Sequence, residues 1–225
     1  MYLIFDADDT LWENNIYFES AFTQFCEYLS HSSMTPLQVR AVLDEIEIAN
    51  ARIHGYGSRN FARNLASCFE ALAERDIVPD DLETVKQFAY AILEKPIELI
   101  DGVAETVKVL SMRHDLTVFT KGDHEEQRLK IDRSGLANHF NRSTIVKEKN
   151  AAAYRKLLED YELIPERTWM IGNSPKSDIN PALAAGINAV FVPHPRTWSL
   201  EHEEVPAEHP RLLKINSIRE LQAIF

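Results

Sequence analysis

The sequence predicts an α/β fold: a doubly wound parallel sheet into which an all-helical module is inserted. Three observations carry that expectation. The first is a short apolar run, Tyr2-Leu3-Ile4-Phe5, that leads straight into the carboxylates Asp6, Asp8 and Asp9. A continuous apolar run of this length is the pattern of a strand buried on both faces. The second is the stretch from Asn14 to about Pro96, where no strand pattern occurs and apolar residues recur at helical spacing. The third is the alternation of short apolar strands with helical segments from Asp101 onward, the rhythm of parallel βα units. The chain therefore divides into a core of residues 1–13 and 98–225 and a helical domain of residues 14–97.

The helical domain reads as four helices. The first runs from about Asn15 to Leu29. Thr35-Pro36 opens the second, a cap residue followed by proline at the first helical position, and it ends near His54-Gly55. Ser58 is the expected cap of the third, and Asp80 or Asp81 of the fourth, which closes at Lys95-Pro96. In the core, a helix follows Asp101-Gly102, Leu116–Phe119 is a strand, and a charged helix spans about Glu125–Ser134 with Gly135 as its stop. Thr144–Val146 is a short strand and Ala151–Tyr161 a helix. Thr168–Ile171 is a strand ending at Gly172, and Pro175–Ala185 a helix stopped by Gly186. Strands at Ala189–Val192 and Leu212–Ile215 and a last helix capped by Ser217 complete the pattern, with Pro195–Pro210 an irregular loop or short helix. Right-handed crossovers lay such helices on both faces of one sheet.

Composition narrows the function. The net charge of −11 over 225 residues makes nucleic acid an unexpected partner, because a phosphate backbone calls for a basic patch. Cys26 and Cys68 are the only cysteines, and their spacing suits neither a zinc site nor a disulfide framework. No basic segment precedes the first apolar run, Asp6 interrupts that run, and no stretch is long and apolar enough to span a membrane. The expectation is a cytoplasmic protein without a membrane partner; the oligomeric state is not legible.

Four places carry chemistry. Asp6 and Asp8 sit at the C-terminal end of the first strand, the edge where open parallel sheets bind ligands. Crowded carboxylates repel unless a cation joins them, and Mg²⁺ prefers oxygen ligands. Phe119-Thr120-Lys121-Gly122 follows another apolar strand, where a hydroxyl and a turn of backbone N–H groups suit an anion. Lys149, or alternatively Lys147, stands just ahead of the next helix; by itself such a lysine reads as a solvated surface charge, and only the order of the motifs singles it out. Met170-Ile171-Gly172-Asn173 closes another apolar strand and leads to Asp178, which by itself reads as an acid in the first turn of the next helix.

In this order the four motifs resemble the haloacid dehalogenase (HAD) superfamily, subfamily I, whose C1 cap is a helical insertion after the first motif. The resemblance covers the whole chain. It implies a Rossmann-like core and a phosphatase acting on a small phosphorylated metabolite with Mg²⁺ as cofactor. By the same resemblance Asp6 is the nucleophile and Asp8 the acid/base. Thr120, Lys121, Gly122 and Lys149 bind the phosphate, with Thr120 and Lys149 counted as catalytic. Asp6, Asp8, Asn173 and Asp178 hold the metal. Asn173 departs from the family, which commonly has aspartate there. The 2-haloacid dehalogenases resemble this chain but lack an acid at the position of Asp8, which favours phosphoryl transfer over dehalogenation. A phosphomutase, or a binding protein with weakened catalysis, shares the same motifs. The loop His194–Trp198 follows the strand at 189–192 and is expected at the same sheet edge, with Arg196 toward an anionic group of the substrate.

Overall fold

The computed structural model describes all 225 residues. They form two compact units, Met1–Asn15 with Ile97–Phe225, and Ile16–Pro96. The first unit holds a six-stranded sheet, wholly parallel, in the order β3-β2-β1-β4-β5-β6. The strands are β1 (Tyr2–Phe5), β2 (Asp115–Lys121), β3 (Arg142–Val146), β4 (Thr168–Gly172), β5 (Asn188–Phe191) and β6 (Leu212–Lys214). β1 lies in the middle, with Phe5 opposite Val118 of β2 and Ile171 of β4. The chain order reverses direction on either side of β1, which makes its C-terminal end the switch point of the sheet.

The apolar residues of the strands explain their place. Leu3, Ile4 and Phe5 are all fully buried, because helices cover both faces. Leu3, Phe5 and Val118 belong to a core with Val103, Val107 and Leu110 of one helix and Leu221 of another. Ile4, Phe119 and Met170 point the other way, into a core with Tyr154, Leu157 and Ile179. Alternate residues of one strand thus feed two cores.

The second unit contains α1 (Asn15–Leu29), α2 (Pro36–His54), α3 (Ser58–Leu72) and α4 (Pro79–Tyr90), followed by a 3-10 turn at Ala91–Glu94. Its own core gathers Phe22, Phe25, Leu43, Leu65, Phe69 and Val85. Thr35 caps α2 with a reciprocal box: its hydroxyl accepts from the N–H of Gln38, whose side chain accepts from the Thr35 N–H. Two expected caps differ. Ser58 is the first residue of α3, with Gly57 before it at φ +105°. Neither Asp80 nor Asp81 caps α4, which starts after Val78; the Asp81 carboxylate reaches back instead and accepts the Val78 N–H at 2.9 Å.

The core helices are α5 (Val103–Ser111), α6 (His124–Arg133), α7 (Ala151–Asp160), α8 (Asn180–Ala184) and α9 (Leu221–Ile224). The helix expected over Pro175–Ala185 is a π-helical turn, Pro175–Ile179, followed by the short α8. Pro181 explains the break. It has no N–H to donate to the carbonyl of Ser177, four residues back, and that carbonyl accepts the Tyr154 hydroxyl at 2.9 Å. The wider turn is closed by the Ile179 N–H on the Ser174 carbonyl at 3.1 Å.

Candidate active site

The end of β1 turns at once. The N–H groups of Thr10, Leu11 and Trp12 converge on the Ala7 carbonyl, at 3.3, 2.8 and 3.4 Å. Asp9 takes φ +58°, a left-handed conformation that aspartate tolerates better than most residues. Its carboxylate accepts the N–H groups of Asn14 and Asn15 at 2.9 and 3.0 Å. This turn aims Asp6, Asp8 and Thr10 from the switch point of the sheet.

Asp6 is buried and bonded from both sides. Lys149 Nζ donates to Oδ1 at 2.5 Å, and Thr10 Oγ1 lies 3.0 Å from Oδ2. Lys149 is 1% exposed in its side chain and also donates to Asp178 Oδ1 at 2.7 Å. Burial alone would push the lysine pKa down; the charges of Asp178 and Asp6 more than offset it and hold the ammonium charged. Asp178 is pushed up, first by burial and then by the charge of Asp6, against the pull of Lys149. Both directions share one origin: a single ammonium serves two buried carboxylates, so one negative charge stays uncompensated. Lys147 is exposed, so the choice between the two lysines falls on Lys149 as the one brought to Asp6.

Gly172 and the π turn place Asp178. Its Oδ2 accepts the Ser174 N–H at 2.9 Å, and a Cβ added at Gly172 would meet that oxygen at 2.3 Å. Asn173 is buried, with Oδ1 3.1 Å from Thr10 Oγ1 and Nδ2 donating to Thr197 Oγ1 at 2.8 Å. One threonine proton therefore faces two oxygens, Asp6 Oδ2 and Asn173 Oδ1, and serves one at a time. The other is a buried acceptor without that donor. A carboxylate and an amide oxygen, with no nitrogen or sulfur ligand among them, form a set that fits a hard divalent cation.

From β2, Thr120 is 1% exposed, with Oγ1 3.2 Å from the Gln127 amide nitrogen. Gly122 has φ +148°, and a Cβ there would meet the Gln127 amide nitrogen at 2.9 Å. Lys121 turns to Glu201 at 2.5 Å and to Ser177 at 2.9 Å. Glu201 also accepts from Ser174 at 2.6 Å and from the Ser177 hydroxyl. Burial would raise the Glu201 pKa, but Lys121 and the two serines bring it below the usual carboxylate range.

Several residues at this edge were not legible in the sequence. Gln127 and Lys130 of α6 bond Asp8, as does the indole N–H of Trp12. Asp9, Glu13 and His194 each bring one potential ligand atom within 4.8 Å of the others. Arg196 lies 3.4 Å from Glu13, and the Asn15 amide donates to the Arg196 carbonyl at 2.9 Å. Burial pushes Asp9 up to about 7, against the two backbone N–H groups it accepts, and lowers His194. The loop 194–198 is thus tied to the segment that follows β1, and the Arg196 guanidinium already faces a carboxylate.

Fold and site together define an aspartate-centred α/β protein of the Rossmann-like class. The sequence model of the haloacid dehalogenase-like hydrolases matches residues 3–192. The chain is 27% identical over 182 residues to a phosphoserine phosphatase of Thermus thermophilus, covering 77% of this chain and 69% of that protein. A solved haloacid dehalogenase-like family hydrolase from Xanthomonas campestris shares 30% identity at a TM-score of 0.86, covering 100% of this chain and 93% of the other. The fold is also that of a 2-haloacid dehalogenase from Pseudomonas syringae pv. Tomato, with a TM-score of 0.66, 18% identity and coverage of 99% and 96%. The chain belongs to the haloacid dehalogenase-like hydrolase family.

Proposed function

We propose that this hydrolase is a Mg²⁺-dependent phosphatase that cleaves a small phosphate monoester through an aspartyl phosphate on Asp6. One observation carries the reading: Asp6, held between Lys149 and Thr10 at the switch point, is followed two residues on by Asp8, a second carboxylate able to move the proton that ester cleavage requires. A halide leaving group needs no such proton. The phosphoserine phosphatase relative supports the same substrate class.

In the first half-reaction an Asp6 oxygen attacks phosphorus in line, forming the acyl phosphate as the ester P–O bond breaks, and Asp8, carrying the proton taken from the hydrolytic water of the preceding turnover, gives it to the leaving oxygen. In the second half-reaction Asp8 takes a proton from water as the water oxygen attacks phosphorus. Inorganic phosphate leaves and the Asp6 carboxylate is restored. Lys149 uses two of its three protons on Asp6 and Asp178, which leaves one for a phosphoryl oxygen. Thr120 and the backbone around Lys121 and Gly122 would hold the other oxygens. Asp6, the Asp8 backbone carbonyl and Asn173 would hold Mg²⁺, with Asp178 adding charge beside them; when bound, the ion neutralises and aligns the phosphate.

The test is hydrolysis of p-nitrophenyl phosphate with Mg²⁺ and with chelator, in the parent protein and in Asp6→Asn. Turnover that needs Mg²⁺ and vanishes in the variant is expected. A tenth of parent activity retained in Asp6→Asn, about 1.4 kcal/mol of barrier, sinks the nucleophile once reversion by deamidation is excluded by mass spectrometry. Phosphate binding without turnover would favour a protein with retired catalysis, to which the neutral Asn173 lends some support.

A further inference from the structure

The side chain of Asp8 is gripped from the opposite wall. Lys130 Nζ lies 3.0 Å from its Oδ1 and 2.9 Å from its Oδ2. Gln127 Nε2 donates to Oδ2 at 2.9 Å, and Trp12 Nε1 to Oδ1 at 2.7 Å. Every one of these partners is a donor, so each carboxylate oxygen receives two hydrogen bonds. The donors are themselves fixed. Trp12 is 1% exposed and Gln127 3%. The Gln127 amide nitrogen also donates to the Lys121 carbonyl at 2.8 Å, an acceptor that cannot exchange roles, so the orientation of the amide is set. Lys130 is anchored by the Asn14 side-chain carbonyl at 2.8 Å. Gln127 and Lys130 stand three residues apart on one face of α6, and that face is turned inward although the helix carries few apolar residues.

We propose that Lys130 and Gln127 are positioning residues for Asp8, and that they determine how poor a leaving group the enzyme can expel. The inference rests on Asp8 as the acid/base of the proposed reaction. A carboxylate on a short side chain rotates freely about two bonds unless it is held. A proton-transfer partner must sit within hydrogen-bond reach of the atom it serves. The clamp from α6 fixes the Asp8 oxygens against Gln127, whose amide nitrogen also lies 3.2 Å from Thr120 and 2.8 Å from the Lys121 carbonyl at the end of β2, where the phosphoryl group is expected. Neither residue touches Asp6 or Lys149, so the clamp acts on proton transfer and leaves the nucleophile's own partners unchanged.

The full-length protein and its Lys130→Met variant are compared on aryl phosphates of graded leaving-group basicity, from p-nitrophenyl to unsubstituted phenyl phosphate, with kcat and KM measured separately. Proton donation contributes least when the leaving group is already stable as an anion. The variant should lose least on p-nitrophenyl phosphate, about threefold, and on the order of 10² in kcat on phenyl phosphate, the lower range for a general acid, with KM little changed. Lys130→Gln, which keeps a donor without the charge, should fall between. In an Asp8→Asn background the Lys130→Met change should add little, because positioning residues act through the group they position. A uniform loss across the esters, or a loss that persists undiminished in Asp8→Asn, overturns the clamp and leaves the phosphatase reading standing. Failure of both Lys130 variants to fold assigns Lys130 a structural role and likewise overturns it. A parent protein that hydrolyses none of the esters overturns both readings.

Discussion

At the scale of single residues, the site is a contest over too few cations. Lys149 alone answers two buried carboxylates, Asp6 and Asp178. Lys149→Met is expected to lower stability by about 3–5 kcal/mol near neutral pH, as removal of one partner from a buried ion pair does, read by urea unfolding. Asn173 presents the reverse case. Asn173→Asp adds a charge beside the oxygens of Asp6 and should tighten Mg²⁺ binding by about tenfold, or about 1.4 kcal/mol, measured by calorimetric titration. The change also removes the amide donor to Thr197, so the loop at 194–198 should exchange its amide hydrogens faster. An unchanged or weaker affinity would remove Asn173 from the metal. Asp6 and Thr120 drew notice in the sequence because each stands at the end of an apolar strand, whereas Lys149 and Asp178 stand apart from their strands and were singled out only by the order of the motifs. Asp9, His194 and Glu201 were not. An acid in a turn or a glutamate in a polar loop carries no periodic signal, and only the folded chain shows that Glu201 is buried against Lys121, Ser174 and Ser177.

At the scale of elements, strands and most helix boundaries followed from hydrophobic period and stop signals, while two helices concealed their roles. The segment Glu125–Ser134 reads as a charged helix with no apolar stripe, yet Glu126, Gln127 and Ile131 are buried. Its inner face packs through hydrogen bonds to Asp8 and β2, and such bonds leave no apolar stripe to read. The π turn was hidden as well, because proline at 181 signals a break but not a widening. It matters through Gly172. Gly172→Ala drives a Cβ into Asp178, so the variant should lose about 1–3 kcal/mol as overpacked sites do, with activity falling in parallel; a neutral variant would mean the turn yields easily. In α2, Glu47 is buried with Oε2 unpartnered, and burial pushes its pKa up to about 8 from 4.5. An acid with a raised folded pKa binds more protons folded than unfolded. Its stability is fully present below pH 4.5 and is lost as pH rises toward 8. Glu47→Gln should therefore match the parent in thermal midpoint near pH 4.5 and exceed it increasingly up to pH 8, the window of that shift. A constant gap between the two melting curves would place the glutamate's proton elsewhere.

At the scale of the whole molecule, the α/β class and the helical insertion were legible because the two parts differ in hydrophobic period. The strand order was not, since periodicity gives strands without neighbours. The chain leaves the core through Trp12 and Glu13 and returns through Glu98 and Leu99, the two segments bridging antiparallel, with the Glu13 N–H on the Glu98 carbonyl at 2.9 Å. A short glycine-serine link between Asn15 and Ile97 therefore has little distance to span. The shortened core is expected to unfold as one cooperative unit by circular dichroism and to keep the Lys149–Asp6 pairing; a non-cooperative melt would show that the core depends on the helices.

That antiparallel crossing has a consequence for inheritance. Everything between residues 16 and 96 is one continuous stretch of coding sequence, entered and left at a single gate. Exchange of that stretch by a recombination event replaces a complete structural unit and leaves the connectivity of all six strands as it was. The aspartates ahead of the gate and the lysine and acid behind it keep their registers through such an exchange. The architecture permits the helical part and the chemical edge to diverge at different rates within one gene.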